Sequence, residues 1–148
     1  MTYKVQPIDD LTTLDVSPLV SKSEEEGYRF LSRLVHDYED GSNRFDKQGE
    51  ALLGVWDDNG ELVAIGGLNV NPYSAEAGQA RLRRFYTLPQ VRRKGVGSLL
   101  LKELVTRAKE NFTEINLRTD SAKADAFYRA NGFTETHDTP DVTHRLVL

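Results

Sequence analysis

The sequence predicts an α/β fold of the mixed, α+β kind, and three observations carry that reading. Asn59-Gly60 sits between two apolar runs, Ala51–Trp56 and residues 61–70, a pairing that specifies an antiparallel hairpin. Val96, Leu99, Leu100, Leu104, Val105 and Ala108 recur at helical spacing and mark one long amphipathic helix. Strand-like runs at 80–88 and 115–119 bracket that helix, which gives a strand–helix–strand unit behind the hairpin.

Taken in order, residues 3–7 read as a first short strand. Ser23 and Glu26 have the spacing of a capping box. Tyr28, Leu31, Leu34, Val35 and Tyr38 follow at helical intervals, so a helix is expected over 24–39 with Gly41 as its stop. The hairpin comes next, then a loop holding Asn71-Pro72, then the strand 80–88, ended by Pro89. The long helix covers 97–111 and the strand 115–119 follows. Ser121 is placed to cap a helix over Ala122–Ala130, and Asn131-Gly132 supplies its left-handed stop. Residues 133–137 and 142–148 form a closing strand pair. No linker or repeat divides the 148 residues, so a single domain over 1–148 is expected.

Composition excludes several classes. Hydrophobic residues make up 39% and charged residues 28%, an ordinary globular balance. No apolar run approaches the roughly 20 residues of a membrane span, and residues 1–7 lack a signal peptide's apolar stretch. No membrane partner is expected and a cytoplasmic location is the default. Zero cysteines exclude disulfides, a thiolate nucleophile and cysteine-held zinc. No metal is called for.

The net charge of −4 hides an uneven distribution. Residues 1–76 hold 6 Lys/Arg against 15 Asp/Glu, whereas residues 77–148 hold 13 against 8. Within 81–94 there are six cations and no acid. Such a cluster is a candidate anion site.

The cluster runs into Arg92-Arg93-Lys94-Gly95-Val96-Gly97-Ser98, which passes from a strand end through a basic turn into the long helix. The first turn of a helix offers unpaired N–H groups and partial positive charge. Gly95 and Gly97 permit close backbone approach, so a phosphate or pyrophosphate fits there. Two familiar phosphate loops are excluded: no Gly-Lys dipeptide occurs, and position 100 is Leu where a dinucleotide fingerprint needs Gly.

This loop resembles the R/Q-x-x-G-x-G/A motif of the GNAT superfamily of acyl-CoA-dependent N-acyltransferases. Arg84-Phe85-Tyr86-Thr87-Leu88-Pro89 looks like that family's fourth strand, and Ala124-Asp125-Ala126-Phe127-Tyr128-Arg129-Ala130-Asn131-Gly132-Phe133 is similar to its A-x-x-F-Y-x-x-x-G-F segment. The resemblance implies a central, mostly antiparallel mixed sheet flanked by helices and splayed between its fourth and fifth strands. It implies acetyl-CoA as co-substrate, with the pantetheine arm along Phe85, Tyr86 and Thr87 and the pyrophosphate on the amides from Arg93 to Ser98.

Within the resemblance, Tyr128 corresponds to the tyrosine that protonates the departing thiolate; a phenol holds its proton at neutral pH. A backbone N–H near Tyr86 or Thr87, at a strand irregularity, is expected to stabilise the oxyanion. Ser121 stands where many members carry a cofactor-contacting Asn, although capping is its main expected task. The expected carboxylate base is missing: Arg81 and Arg83 occupy the start of the fourth strand. Glu76, just upstream, and His144, on the last strand, are the candidates, with His36 and His137 weaker.

For the acceptor, Asn43, Arg44 and Phe45 are candidate pocket residues; Arg44, or Arg83 and Arg84, are candidate binders of a substrate carboxylate, which would point to an amino-acid-like acceptor. The acidic first half points instead to a cationic amine, and the two readings conflict. The expected function is transfer of an acetyl group to a primary amine of a small molecule or peptide. The alternative is a non-catalytic acyl-CoA-binding module. Nucleic-acid binding ranks last, since net charge is negative and no such motif is present. Dimers are frequent in the resembled family, which leaves a homodimer open.

Overall fold

The computed structural model describes residues 2–74 and 76–148. Its elements are β1 (Lys4–Pro7), α1 (Ser17–Glu25), α2 (Phe30–Asp40), β2 (Ala51–Trp56), β3 (Leu62–Val70), β4 (Gln79–Thr87), α3 (Val96–Ala108), β5 (Glu114–Leu117), α4 (Ala122–Ala130), β6 (Thr134–Glu135) and β7 (His144–Val147). They form one seven-stranded sheet of order β1-β2-β3-β4-β5-β7-β6, the mixed α/β architecture expected. No helix among the described residues is long and apolar enough to cross a membrane.

Strands β1 to β4 pair antiparallel in chain order; a tight turn joins β2 to β3, whereas α1 and α2 intervene between β1 and β2. At the β2–β3 turn, Gly60 takes φ +77° and the Asp57 carboxylate accepts from the amides of Asn59 and Glu61. Strand β5 is parallel to β4, and α3 makes the crossover such a pair requires. Val96, Leu100, Leu101, Leu104 and Ala108 bury one face of α3 against the sheet. Leu99, expected in that stripe, is exposed, and Leu101 is the residue that turns inward.

The single helix expected over 24–39 is instead two helices. Gly27 at φ +91° breaks the path. The Tyr28 amide donates to the Ser23 carbonyl and the Gly27 amide to that of Glu24, a paired closure that finishes α1 in a left-handed turn. Ser23 is therefore not a cap. It is fully buried within α1, and its hydroxyl donates to the Val20 carbonyl. The signal for α1 was Pro18, which begins a helix readily because its missing N–H would be unpaired there anyway.

One departure from a regular sheet shapes everything that follows. β4 and β5 pair only from Gln79 to Arg81, against Glu114 to Asn116. Beyond Arg81 the two strands part, so residues 82–87 keep β3 on one side and lose β5 on the other. A V-shaped opening results, with free strand edge along its wall.

Candidate active site

A cleft of about 860 Å³ fills that opening. Its floor is aromatic. Gly66 has no side chain, and the Phe85 ring takes the vacated space: a Cβ there would lie 2.8 Å from Phe85 Cδ2. Phe85 packs against Phe127 at 5.7 Å and Tyr128 at 6.2 Å between ring centres, and Tyr128 rests on Phe133 at 5.5 Å. Contacts of this kind lock ring orientation.

The Tyr128 hydroxyl makes no hydrogen bond to a described residue, yet the residue lines the cleft. Burial pushes this phenol's pKa well above its ordinary value. It keeps its proton across the neutral range and has it free to donate.

β4 bulges at the cleft. Tyr86 pairs with Ile65 and Arg83 with Gly67, so Arg84 and Phe85 together oppose Gly66. Arg84 sits at φ +58°, a conformation uncommon for a side chain of its size. The irregularity thus lies one or two residues ahead of the expected Tyr86–Thr87 position. A bulge of this kind bends the strand and locally changes where its backbone groups point.

The basic turn closes the other end. Arg93 and Gly95 both have positive φ, +65° and +82°. Gly95 precedes α3 with no side-chain cap, and a Cβ placed on it would meet nothing within 4 Å. Among the described residues, the amides of Val96, Gly97 and Ser98 donate to no backbone carbonyl. An open cradle of unpaired donors at a helix start fits a pyrophosphate. Gly97 has a different reason to be glycine, since its Cβ would press Phe127 at 3.2 Å. Ser121 lines the cleft and also caps α4, its hydroxyl accepting from the Ala124 amide at 3.2 Å. Lys94 is exposed outside the lining, and the Val96 side chain is buried in the core, leaving only its amide at the turn.

Arg92 also lines the cleft, but its charge is taken up by a carboxylate. Its guanidinium donates to both Glu26 oxygens, at 2.7 and 2.8 Å, and to the Thr87 carbonyl. It lies 5.4 Å from the centre of the Tyr86 ring, and the Tyr86 hydroxyl also donates to Glu26. The Arg92 hydrogen bonds hold the Glu26 carboxyl down at about 2. Burial, together with Glu26, pushes the Tyr86 phenol far up.

Five of the residues expected on the acceptor side or as the base lie outside the cleft lining. His144 is nearly fully buried outside the cleft, its Nε2 donating to Asp125 at 2.6 Å and its Nδ1 paired with Thr143 at 2.8 Å. With both ring nitrogens engaged, it ties β7 to α4 and is not part of the cleft lining. Glu76 is exposed ahead of β4, accepting from Gln79, at the far end of the strand from the bulge. Asn43 exchanges hydrogen bonds with Asn69, and Arg44 donates to the Tyr38 carbonyl. Phe45 plugs the gap over Gly67, where a Cβ would lie 2.4 Å from its ring. That tripeptide closes the sheet face beneath α2 and does not line the cleft. Arg84 does line it, with Asp37 at 3.6 Å.

The lining also includes residues that motif reading did not reach: Tyr28, Phe30 and Arg33 from the α1–α2 break onward, Tyr73 before β4, and Arg118 and Lys123 around β5 and α4. The break at Gly27 brings the first group over β4, and a single unbroken helix hid it.

The model of the acetyltransferase (GNAT) family matches residues 14–133. The chain belongs to the GNAT family. Among solved structures, this GNAT protein is similar to a candidate acetyltransferase from Exiguobacterium sp. 255-15, at 27% identity and TM-score 0.89 over 99% of this chain and 94% of that one. It also superposes on a GNAT acetyltransferase from Staphylococcus aureus Mu50, at 18% identity and TM-score 0.80 over 99% of both chains. Glucosamine-6-phosphate N-acetyltransferase from Arabidopsis thaliana shares the fold at 14% identity and TM-score 0.62, over 94% and 96% of the two chains. No curated protein matches the sequence. GNAT membership makes the protein an acyltransferase.

Proposed function

We propose that the protein transfers an acetyl group from acetyl-CoA to a primary amine by direct attack through a tetrahedral intermediate. The observation that carries the reading is the juxtaposition, in one cleft, of an uncapped helix start at Gly95, a free strand edge at 85–87 and the unpartnered Tyr128 hydroxyl.

Each part answers a chemical need. The amides from Gly95 to Ser98, with Arg93 beside them, hold the diphosphate. The edge of β4 beyond Arg81 pairs with the pantetheine amides as a missing strand would. Amides after the Arg84 bulge stand where the thioester oxygen gathers charge. Tyr128 gives its proton to the departing thiolate, and the tyrosinate is reprotonated, directly or through water, by the proton that the attacking nitrogen sheds as it becomes the amide.

No Asp, Glu or His lines the cleft among the described residues. The acceptor therefore reacts as the neutral amine, and Arg83 and Arg84 favour that form because a nearby cation disfavours an ammonium. The same lack of a carboxylate is the one feature that favours a non-catalytic acyl-CoA-binding module. Calorimetry with acetyl-CoA, followed by free-thiol release over a panel of amines, decides. Heat with turnover supports the proposal, heat without turnover on any amine supports the module, and no heat at millimolar ligand sinks both. Across the panel, kcat/KM is expected to rise with pH toward the acceptor's own pKa.

A further inference from the structure

The cleft has two ends. The diphosphate cradle occupies one, beyond Thr87. The other follows β4 backward from the bulge, and Arg81 lies roughly 13 Å along the strand from Phe85 at the usual rise per residue. At that end Arg81, Arg83 and Arg84 of β4 and Arg33 of α2 converge on the lining. Among the described residues only Arg84 has a carboxylate within 4 Å, that of Asp37.

Arg81 is the informative member. It is 6% exposed, yet its partners are neutral: the Asp141 carbonyl, the Asn116 side-chain oxygen at 3.4 Å, and the Tyr73 ring, 4.8 Å from the guanidinium. A buried cation without an anion is costly, and proteins ordinarily pair it. Arg83 is half-buried beside it and makes no hydrogen bond or ion pair to a described residue. Burial lowers the pKa of both Arg81 and Arg84, and each is lowered further by Arg83. Guanidinium groups crowd one another in this half of the cleft, away from the diphosphate cradle.

We infer that the acceptor is a small primary amine bearing an anionic group, a carboxylate or a phosphate, which Arg83 and its neighbours hold while the amine reaches the thioester. This rests on the acetyl-transfer reading above. Planar guanidinium forks match either anion bidentately, which a cluster of lysines would not. It also settles the conflict over the acceptor: the acidic residues of the first half stay outside the cleft, and the wall facing the acceptor is cationic.

The test uses acceptors that differ only in the anion: phosphoethanolamine against ethanolamine, glycine against glycinamide, and glucosamine 6-phosphate against glucosamine, with spermidine as a polycation. Carboxylate and phosphate arms are read separately. The anionic member of at least one pair is expected to exceed its neutral partner by roughly tenfold or more in kcat/KM. Arg83→Gln should shrink that ratio through KM. A second measurement does not depend on turnover. With CoA saturating the cradle, phosphoethanolamine or succinate should raise the Tm of the wild type and not of Arg83→Gln. Neutral amines or spermidine reacting as well as or better than the anionic ones overturns the inference. So does an absent Tm shift with either anion. Loss of acetyl-CoA binding itself would instead mark failure of the acetyl-transfer reading.

Discussion

Glu26, at the end of α1, holds Arg92 with both carboxylate oxygens across a sequence gap of 66 residues. The pair pins the helix break that carries Tyr28 and Phe30 onto the turn that leads to the diphosphate cradle. Two separate segments of the cleft lining are thereby tied together. The Glu26 carboxyl is held at about 2 in the folded protein against an ordinary 4.5, chiefly by Arg92. A depressed carboxyl stabilises the fold above its unfolded pKa, and that contribution fades as pH falls from 4.5 toward 2. Glu26→Gln should lower the Tm at pH 7 by roughly 3 °C or less, because partly exposed pairs contribute about 1 kcal/mol at most. The difference between the two proteins should shrink as the pH is lowered through that window. A difference that stays constant down to pH 2 would contradict the assignment.

Tyr128 is expected to matter for rate and little for stability. Its ring fills the aromatic floor and its hydroxyl has no described partner to lose. Tyr128→Phe keeps the ring, so the Tm and acetyl-CoA affinity should stay near those of the wild type. Removing a positioned general acid should lower kcat by roughly a hundredfold or more. Steady-state thiol release together with calorimetry checks this, and an unchanged kcat removes the proposed role.

What was legible in the sequence was local. Ser121, Asn131 and Gly132 mark the bounds of α4 because caps and stops are written within a few residues of the helix they end. The glycine-bearing turn before α3 was readable for the same reason. Contacts between distant segments were not. Nothing in the spacing of Arg92 says that its charge is taken by Glu26, or that His144 on β7 lies over Asp125 of α4. The misread helix over 24–39 shows the other limit: Tyr28 and Leu31 fit one helical period by chance, while Gly27 and Pro18 held the boundary information. That error hid Arg33 and Phe30 from the cleft lining.

Gly95 and Gly97 should fail in different ways. Gly95 holds φ +82° with open space where a side chain would go. Gly95→Ala imposes a left-handed conformation costing about 1–2 kcal/mol and puts a methyl group on the face offered to the diphosphate. Both the Tm and the affinity for acetyl-CoA should fall. Gly97→Ala gains about 1 kcal/mol of helix propensity and loses a similar amount by pushing on Phe127. Its Tm should move little. The readout there is kcat, because a displaced Phe127 ring disturbs Tyr128, 5.2 Å away between ring centres. Equal loss of Tm in the two variants would refute the distinction.

His144 provides the sharpest separation between a structural imidazole and a base. Its ring lies 6.1 Å from the centre of Tyr128, near enough for a chemical role to be tempting. The two nitrogens are nevertheless committed to Asp125 and Thr143, and the side chain is 3% exposed. His144→Leu keeps most of the volume while deleting both hydrogen bonds. Losing them should cost about 1–3 kcal/mol, softened because Asp125 retains Arg129 at 2.8 Å. Thermal unfolding should register that loss. The pH profile of kcat/KM should keep its shape, since the group that titrates in it belongs to the acceptor amine. A limb of that profile that vanishes in His144→Leu would instead make this histidine the base.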